Sequence, residues 1–407
     1  MRTIPFFTTS LLLFGITAPV LANSNASQNE AIAEEINDLH NKIAALEKRS
    51  QSSWVDNLKV GALLQLDARY FPNSDSDSDI DSFEIRRARI DVRGNVSDSI
   101  SFRILPEFGE VIRSRLLDAY VDWRVSEHNF FRIGKFKAPV GLERVQSVPR
   151  LTFLERGLSD NIVPNRDAGI AWNYTDKQFQ TTLGVGNNVG DRQDTAVDND
   201  NKKAIFARAY WQPEALNGLG IGVAGSIGNT EQNASLPTYK SLGRATIFRY
   251  NSDVLRDGKE SRIAPHFTWY RGSFGSYGEY IISKTSLTNN QSQQSELSNK
   301  AWQWVGSWII TGERNSWSGI KPDSSKGAWE LAFRLSSLDI DDKAFTHHAD
   351  LTRSVSKASS ATIGLNWHIN NKTKVLINYE QTRFEGGAVN DNRDNEQLLS
   401  ARLQINY

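Results

Sequence analysis

An all-β transmembrane barrel of about sixteen antiparallel strands is the fold class this sequence predicts, and three observations carry the prediction. Apolar residues recur with a period of two through most of the chain, as in Leu58, Val60, Ala62, Leu64, Leu66, Ala68 and Tyr70. Mean hydropathy is only -0.47 and the hydrophobic fraction 39%, although 11 Trp, 11 Tyr and 19 Phe are spread along the chain. A large barrel with a wet interior gives that mixture. The last strand alternates Leu399, Ala401, Leu403, Ile405 and Tyr407 with Ser400, Arg402, Gln404 and Asn406, and ends on an aromatic.

The start of the chain fits export. Met1 and Arg2 precede an apolar run from Leu11 to Ile16 and a small-residue stretch, Ala18 to Ala22, of the kind a signal peptidase cuts. Residues 1–22 are therefore read as a signal peptide, with the mature protein beginning near Asn23. Nowhere does an apolar run approach the roughly 18 residues of a membrane-spanning helix. With no cysteine the chain relies on no disulfides, and its 47 Lys/Arg balance 47 Asp/Glu, which argues against nucleic acid as a partner.

In residues 23–53, Ile32, Ile36, Leu39, Ile43 and Leu46 recur at 4-3-4-3 spacing, a heptad seam predicting a short periplasmic coiled-coil helix. Two roles fit it: an amphipathic helix lying against the body, or a stalk that nucleates an oligomer. Ile at one seam position with Leu at the other leans towards dimers in isolated peptides, so the seam alone does not set the number of chains.

Residues 54–407 read as strand after strand. Ile100, Phe102 and Ile104 form one alternating series; Leu117, Ala119, Val121, Trp123 and Val125 another; Ala361, Ile363, Leu365, Trp367 and Ile369 a later one. Many carry Trp or Tyr at an end, where an aromatic girdle would meet headgroups. Short connections (Asn95 to Ser99, Ser126 to His128, Asn370-Asn371) take turns with long polar ones (Gly186 to Asn201, Ser286 to Ser298, Gly312 to Lys326). That predicts turns at one end and loops at the other.

Phe83 to Gly94, FEIRRARIDVRG, carries the clearest chemistry. Ala88, Ile90 and Val92 share one face while Arg87, Arg89, Asp91 and Arg93 share the other, the lumen face in a membrane barrel. Phe83 and Ile85 have the parity of Arg87, so a bulge is expected between the two halves, and placing Arg86 in the lumen depends on it. From Phe83 to Arg166 the chain holds fifteen Lys/Arg against eleven carboxylates. Arginine suits oxyanions, since its planar fork gives two parallel hydrogen bonds and never loses its charge. The same arginines have Asp91, Asp118 and Asp122 available as neutralising partners.

The longest stretch without alternation, about 138–167, has three prolines and mixes Leu151, Phe153 and Leu154 with arginines. Folding back into the barrel would bury those apolar groups and bring arginines to a constriction. The blocks FEIRRARIDVRG, LLDAYVDW (Leu116 to Trp123), FRIGKFKAPVGLER (Phe131 to Arg144) and LTFLERGL (Leu151 to Leu158) resemble the phosphate-selective porin O and P family. The resemblance implies a homotrimer of sixteen-stranded barrels in the outer membrane of a Gram-negative bacterium, in contact with lipid and lipopolysaccharide. Each barrel would pass inorganic anions, phosphate above all, along an arginine ladder, with no enzymatic activity. Candidate pore residues are Arg86, Arg87, Arg89, Arg93, Arg103, Arg124, Arg132, Arg144, Arg150, Arg156 and Arg166, with Asp118 as acidic partner. No cofactor or metal is expected. Alternatives are a weakly selective general porin, a barrel-embedded hydrolase or a surface adhesin.

Three other patterns carry less. Asp75, Asp77, Asp79 and Asp81 alternate, but Ile80 and Arg86 occupy the positions where an EF-hand needs glycine and glutamate. Gly220, Gly222 and Gly225 spell G-x-G-x-x-G inside strand-like alternation with no helix following. His347 and His348 lack a nearby nucleophile in sequence.

Overall fold

The computed structural model describes residues 34–44, 57–72, 80–109, 114–194 and 200–407, in two units divided at Asp56. In the first unit residues 34–44 form helix α1, with Ile36, Leu39 and Ile43 about half exposed and Lys42 paired with Asp38 at 2.7 Å. Ile32, Leu46 and the signal peptide expected over 1–22 lie outside the described residues, as do Asp75, Asp77 and Asp79.

The second unit is a closed antiparallel barrel. Its strands are β1 (Leu58–Tyr70), β2 (Ser82–Asn95), β3 (Ile100–Glu107), β4 (Arg115–Arg124), β5 (Asn129–Lys137), β6 (Arg166–Thr175), β7 (Phe179–Gly186), β8 (Ala204–Trp211) and β9 (Leu219–Asn233). After a small hairpin of β10 (Thr238–Lys240) and β11 (Thr246–Arg249) come β12 (Leu255–Arg271), β13 (Phe274–Thr288), β14 (Ser295–Ile309), β15 (Ala328–Asp339), β16 (Val355–His368) and β17 (Thr373–Ala388). The two-residue β18 (Asp391–Asn392) pairs antiparallel with the end of β17, and β19 (Glu396–Asn406) completes the set. Leaving out β10, β11 and β18, sixteen strands form the ring, which closes where Leu63 to Tyr70 of β1 pair with Leu399 to Asn406 of β19.

Period-two alternation fixes which wall is oily. In β14, Asn299 and Gln303 are 3% and 2% exposed and face inward, while Trp302, Trp304 and Trp308 are 38%, 41% and 42% exposed and face outward. Stacked outward pairs (Phe179 with Trp211, Phe274 with Trp308, Trp329 with Trp367) gather at the short-turn end, forming an aromatic belt there. Gly134 in β5 shows how tightly the wall is drawn. Its φ is 127°, and a Cβ there would stand 2.3 Å from the Ala119 carbonyl oxygen. Gly134→Ala is expected to destabilise the barrel by about 1–3 kcal/mol from backbone strain alone, before the overlap is relieved, read as a lowered unfolding midpoint in detergent.

Two loop expectations need correction. Ser286 to Ser298 is not a long loop, because β13 and β14 extend into it and leave only residues 289–294 as connection. Extended β-pairing, Leu287 with Ser295, continues through its Ser and Thr residues, which look like loop in composition. Residues 310–327 are long as expected but lie at the short-turn end, so lengths do not alternate strictly.

Three connections fold inward. Residues 138–165 contain a short helix, α2 (Leu142–Val145), and 3-10 turns at Val148–Arg150 and Leu158–Ile162. Leu142 and Phe153 pack on Tyr277, Val305 and Ala332 of the inner wall, and Val148 and Leu151 on Leu63. From the long-loop end the β10–β11 hairpin stacks on this segment, burying Tyr239, Ile247 and Phe248 with Leu158 and Ile162. From the other end Trp317 sets its ring edge-on to Tyr277, centroids 5.3 Å apart. The remaining helix, α3 (Ala344–His347), lies in the β15–β16 loop.

Candidate functional site

The expected bulge is present, and it makes the site. Across β1 and β2, Gln65 pairs with Arg87 and Leu66 with Ile85, so Arg86 is the extra residue. Phe83 and Ile85 consequently face outward, at 93% and 54% exposure, and Arg86 and Arg87 both reach the lumen. There they meet Glu155 of the inward segment. Arg86 donates through Nε and a terminal nitrogen to the two Glu155 oxygens, at 2.7 and 2.9 Å, Arg87 donates at 3.2 Å, and Arg402 of β19 at 3.0 Å. Burial pushes the Glu155 carboxyl up, but the facing Arg86, Arg87 and Arg402 outweigh it and hold it well below the ordinary carboxylate range. Arg402 is also bidentate to Asp67, both contacts at 2.6 Å.

A second carboxylate relay runs along β2 to β6. Arg89 donates to Glu107 at 2.6 Å, Arg103 to Asp91 and Asp118 at 2.8 and 2.9 Å, and Arg166 to Asp118 at 2.6 Å. Asp118 is thus shared by two arginines. Arg132 is bidentate to Asp122 and lies 3.9 Å from the Tyr120 ring centroid. In the inward segment Arg144 donates to Asp160 and Asn165, and burial lowers its guanidinium to about 10 against the opposing pull of Asp160. Arg156 donates to the carbonyl oxygens of Glu143 and Gln146.

The inward segment divides the interior into two cavities. One, of about 600 Å³ towards the long loops, is lined by twelve Lys/Arg, Arg86, Arg87, Arg144 and Arg156 among them, against Glu107, Glu155 and Asp160. The other, of about 910 Å³ towards the short turns, is lined by twelve Lys/Arg, including Arg93, Arg103, Arg132 and Arg150, against Asp91, Asp118 and Glu330. Four residues line both: Arg89, Lys137, Val148 and Arg166. Lys137 ends β5 and, among the described residues, its Nζ donates only to backbone, to the Gln146 carbonyl at 2.7 Å and the Val145 carbonyl at 3.5 Å.

Ten of the eleven arginines expected in the pore therefore line one cavity or the other. Arg124 does not. It closes β4 at the short-turn end, exposed, with a terminal nitrogen 3.2 Å from the Glu127 carbonyl oxygen, because it stands at the strand's end, past the lumen-lining Asp118 and Tyr120. Arg93 is at the rim, more than half exposed and paired with Asp91. Lys137 and Arg402 are functional side chains that the sequence reading does not single out. Arg402 shares parity with Gln404 in the final strand, a signal available in the sequence; Lys137 stands beside a proline-rich loop that masks its role.

A closed barrel with a polar, strongly cationic interior and its own long loop folded into the lumen is a porin of the outer membrane. The chain belongs to the family described as Phosphate-selective porin O and P, which matches residues 58–407. Among curated proteins it is 23% identical over 395 residues to Porin O of Pseudomonas aeruginosa, covering 86% of this chain and 88% of that protein. The anion-selective porin from Comamonas acidovorans shares the fold at a TM-score of 0.55, with 11% identity over 86% of this chain and 99% of that one. OmpT of Vibrio cholerae, in its trimer form, superposes at 0.54 with 10% identity, over 86% and 99% of the two chains.

Proposed function

We propose that this porin passes inorganic oxyanions, phosphate foremost, by passive diffusion along an arginine-lined path. The observation that carries the reading is the junction of the two cavities, where Arg89, Lys137 and Arg166 stand around the only apolar member, Val148. An anion leaving either cavity meets cations there. Positive groups in series replace part of the hydration shell, and no single one needs to bind so tightly that it traps the ion. Glu155, Glu107 and Asp118 serve that second requirement, each holding back part of the charge of the arginines it faces.

The short-turn end is taken as periplasmic, residues 23–53 as a periplasmic coiled-coil segment, and the outward Trp and Tyr side chains as meeting lipid and lipopolysaccharide. Family membership and the trimer form of the OmpT neighbour support a homotrimer. The partnered state of Asp91, Asp118 and Asp122 favours a second reading, a general porin with locally cancelled charge.

A zero-current potential under a KCl gradient separates the two, and a cation-favouring sign would overturn the anion path. Added phosphate is expected to block chloride current. Arg87→Ala and Arg89→Ala should each weaken that block roughly tenfold, the loss of one charge-assisted contact of about 1.5–3 kcal/mol partly offset by the neighbouring cations.

A further inference from the structure

We infer that Arg208 forms an oxyanion-binding station two strands beyond the arginine relay, on β8, made possible by Gly220 and Gly222 of the G-x-G-x-x-G pattern in β9. This goes beyond the proposed pore path. Arg208 points inward from β8 into the larger cavity and has no carboxylate within ion-pair distance among the described residues. Its Nε is enclosed without a hydrogen-bond partner, and a terminal nitrogen lies 3.5 Å from His266 Nε2. Arg87, Arg89, Arg103 and Arg166 all have carboxylates to hold them. A guanidinium that lines the cavity without a carboxylate to engage its terminal nitrogens lacks a charged acceptor, and two oxygens of an oxyanion supply one.

The surroundings are built. Tyr210 and His266 stack with centroids 6.1 Å apart and planes within 6°, and the Tyr210 hydroxyl is 2.5 Å from Thr268 Oγ1. That stack has room because β9 carries no side chain at Gly220 and Gly222. A Cβ at Gly220 would fall 2.0 Å from the Tyr210 hydroxyl, and one at Gly222 would fall 2.5 Å from His266 Nε2. The glycine pattern is thus a packing device that lets an imidazole and a phenol lie flat against the wall beneath Arg208. On the other side Arg208 is the register partner of Thr182, itself the partner of Asn173, so the three stand in a row across β8, β7 and β6. Thr182 donates its hydroxyl hydrogen to Asn173 Oδ1 at 2.9 Å, and the Asn173 amide, engaged with the Ala171 carbonyl oxygen at 3.3 Å, retains a second N–H. The ligand class is a compact oxyanion, phosphate or sulfate, or the same group on a larger molecule, gripped by the guanidinium fork and the amide.

Crystals of the full-length protein soaked in selenate locate such an ion by anomalous scattering. A peak within hydrogen-bond distance of the Arg208 guanidinium, lost in Arg208→Gln and kept in Arg87→Ala, is expected. No peak there, or a peak that survives Arg208→Gln, overturns the station. In planar bilayers Arg208→Gln should lower chloride conductance at low salt to roughly half with little change in 1 M KCl, since the lost charge acts over a salt-dependent distance. Unchanged low-salt conductance also counts against it. Selenate at the cavity junction without any at Arg208 would leave the anion path intact and remove only the station.

Discussion

A Lys137→Glu channel is expected to lose its anion preference, with the zero-current potential under a KCl gradient moving to zero or to the cation side. The substitution changes the local charge by two at the place where both cavities meet, and turns one of the three cations there into a carboxylate facing Arg89 and Arg166. Lys137 Nζ is held by the carbonyls of Val145 and Gln146, so no carboxylate is released when the lysine goes. Arg89 and Arg166 remain, but Glu107 and Asp118 already engage them. At about 6 Å and an effective dielectric near 20, one unit of charge is worth roughly 2–3 kcal/mol to a passing ion. Salt screening reduces that, leaving a change of roughly 10- to 100-fold in the ratio of anion to cation permeability. Lys137→Gln, a change of one charge, should fall midway between the two. A potential unchanged in both variants would mean that ions bypass the junction and the path described here is wrong.

The barrel was legible in the sequence because its walls obey one rule, alternate residues facing lipid and lumen, and that rule writes itself into parity. Parity even exposed the flaw at Phe83 and Ile85, which the structure resolves as the Arg86 bulge. What parity does not encode is where a segment without alternation goes. The proline-rich stretch after Lys137 was recognisable as a long functional loop, but its partners were not. Glu155 meets residues 69, 68 and 247 positions away along the chain. Nor does composition distinguish a polar strand end from a loop, which is why Ser286 to Ser298 reads as loop although β13 and β14 run into it. Arg124 illustrates the complementary limit. It shares the parity of lumen residues but sits where the strand ends, and height along the barrel axis is set by shear that no single strand reveals.

Glu155→Gln is expected to tighten phosphate block and loosen the inward segment together. The carboxylate is the point where Arg86 and Arg87 of the wall and Arg402 of the closing strand grip residues 138–165. Glutamine keeps the shape and removes the charge. Arg402 retains Asp67 and Arg87 retains Gln65, so the barrel itself should stay closed. Removing one partner of a buried ion cluster costs about 3–5 kcal/mol, and here that cost falls on the loop because only the loop supplies Glu155. The cationic side of the cluster, relieved of its counter-charge, becomes a deeper well for phosphate, so block should appear at roughly tenfold lower phosphate while chloride current becomes noisier. The sign in pH follows from the same geometry. Because Glu155 is held below the ordinary carboxylate range, its contribution is fully present above about pH 4.3, the unfolded value, and is lost only as pH falls through the lower folded value. Wild-type current noise should therefore stay level from pH 8 to 5 and rise only in stronger acid, while Glu155→Gln should already be noisy at pH 7 and insensitive to further acid. A quiet variant with unchanged block would mean that Glu155 neither restrains the loop nor tempers the arginines it faces.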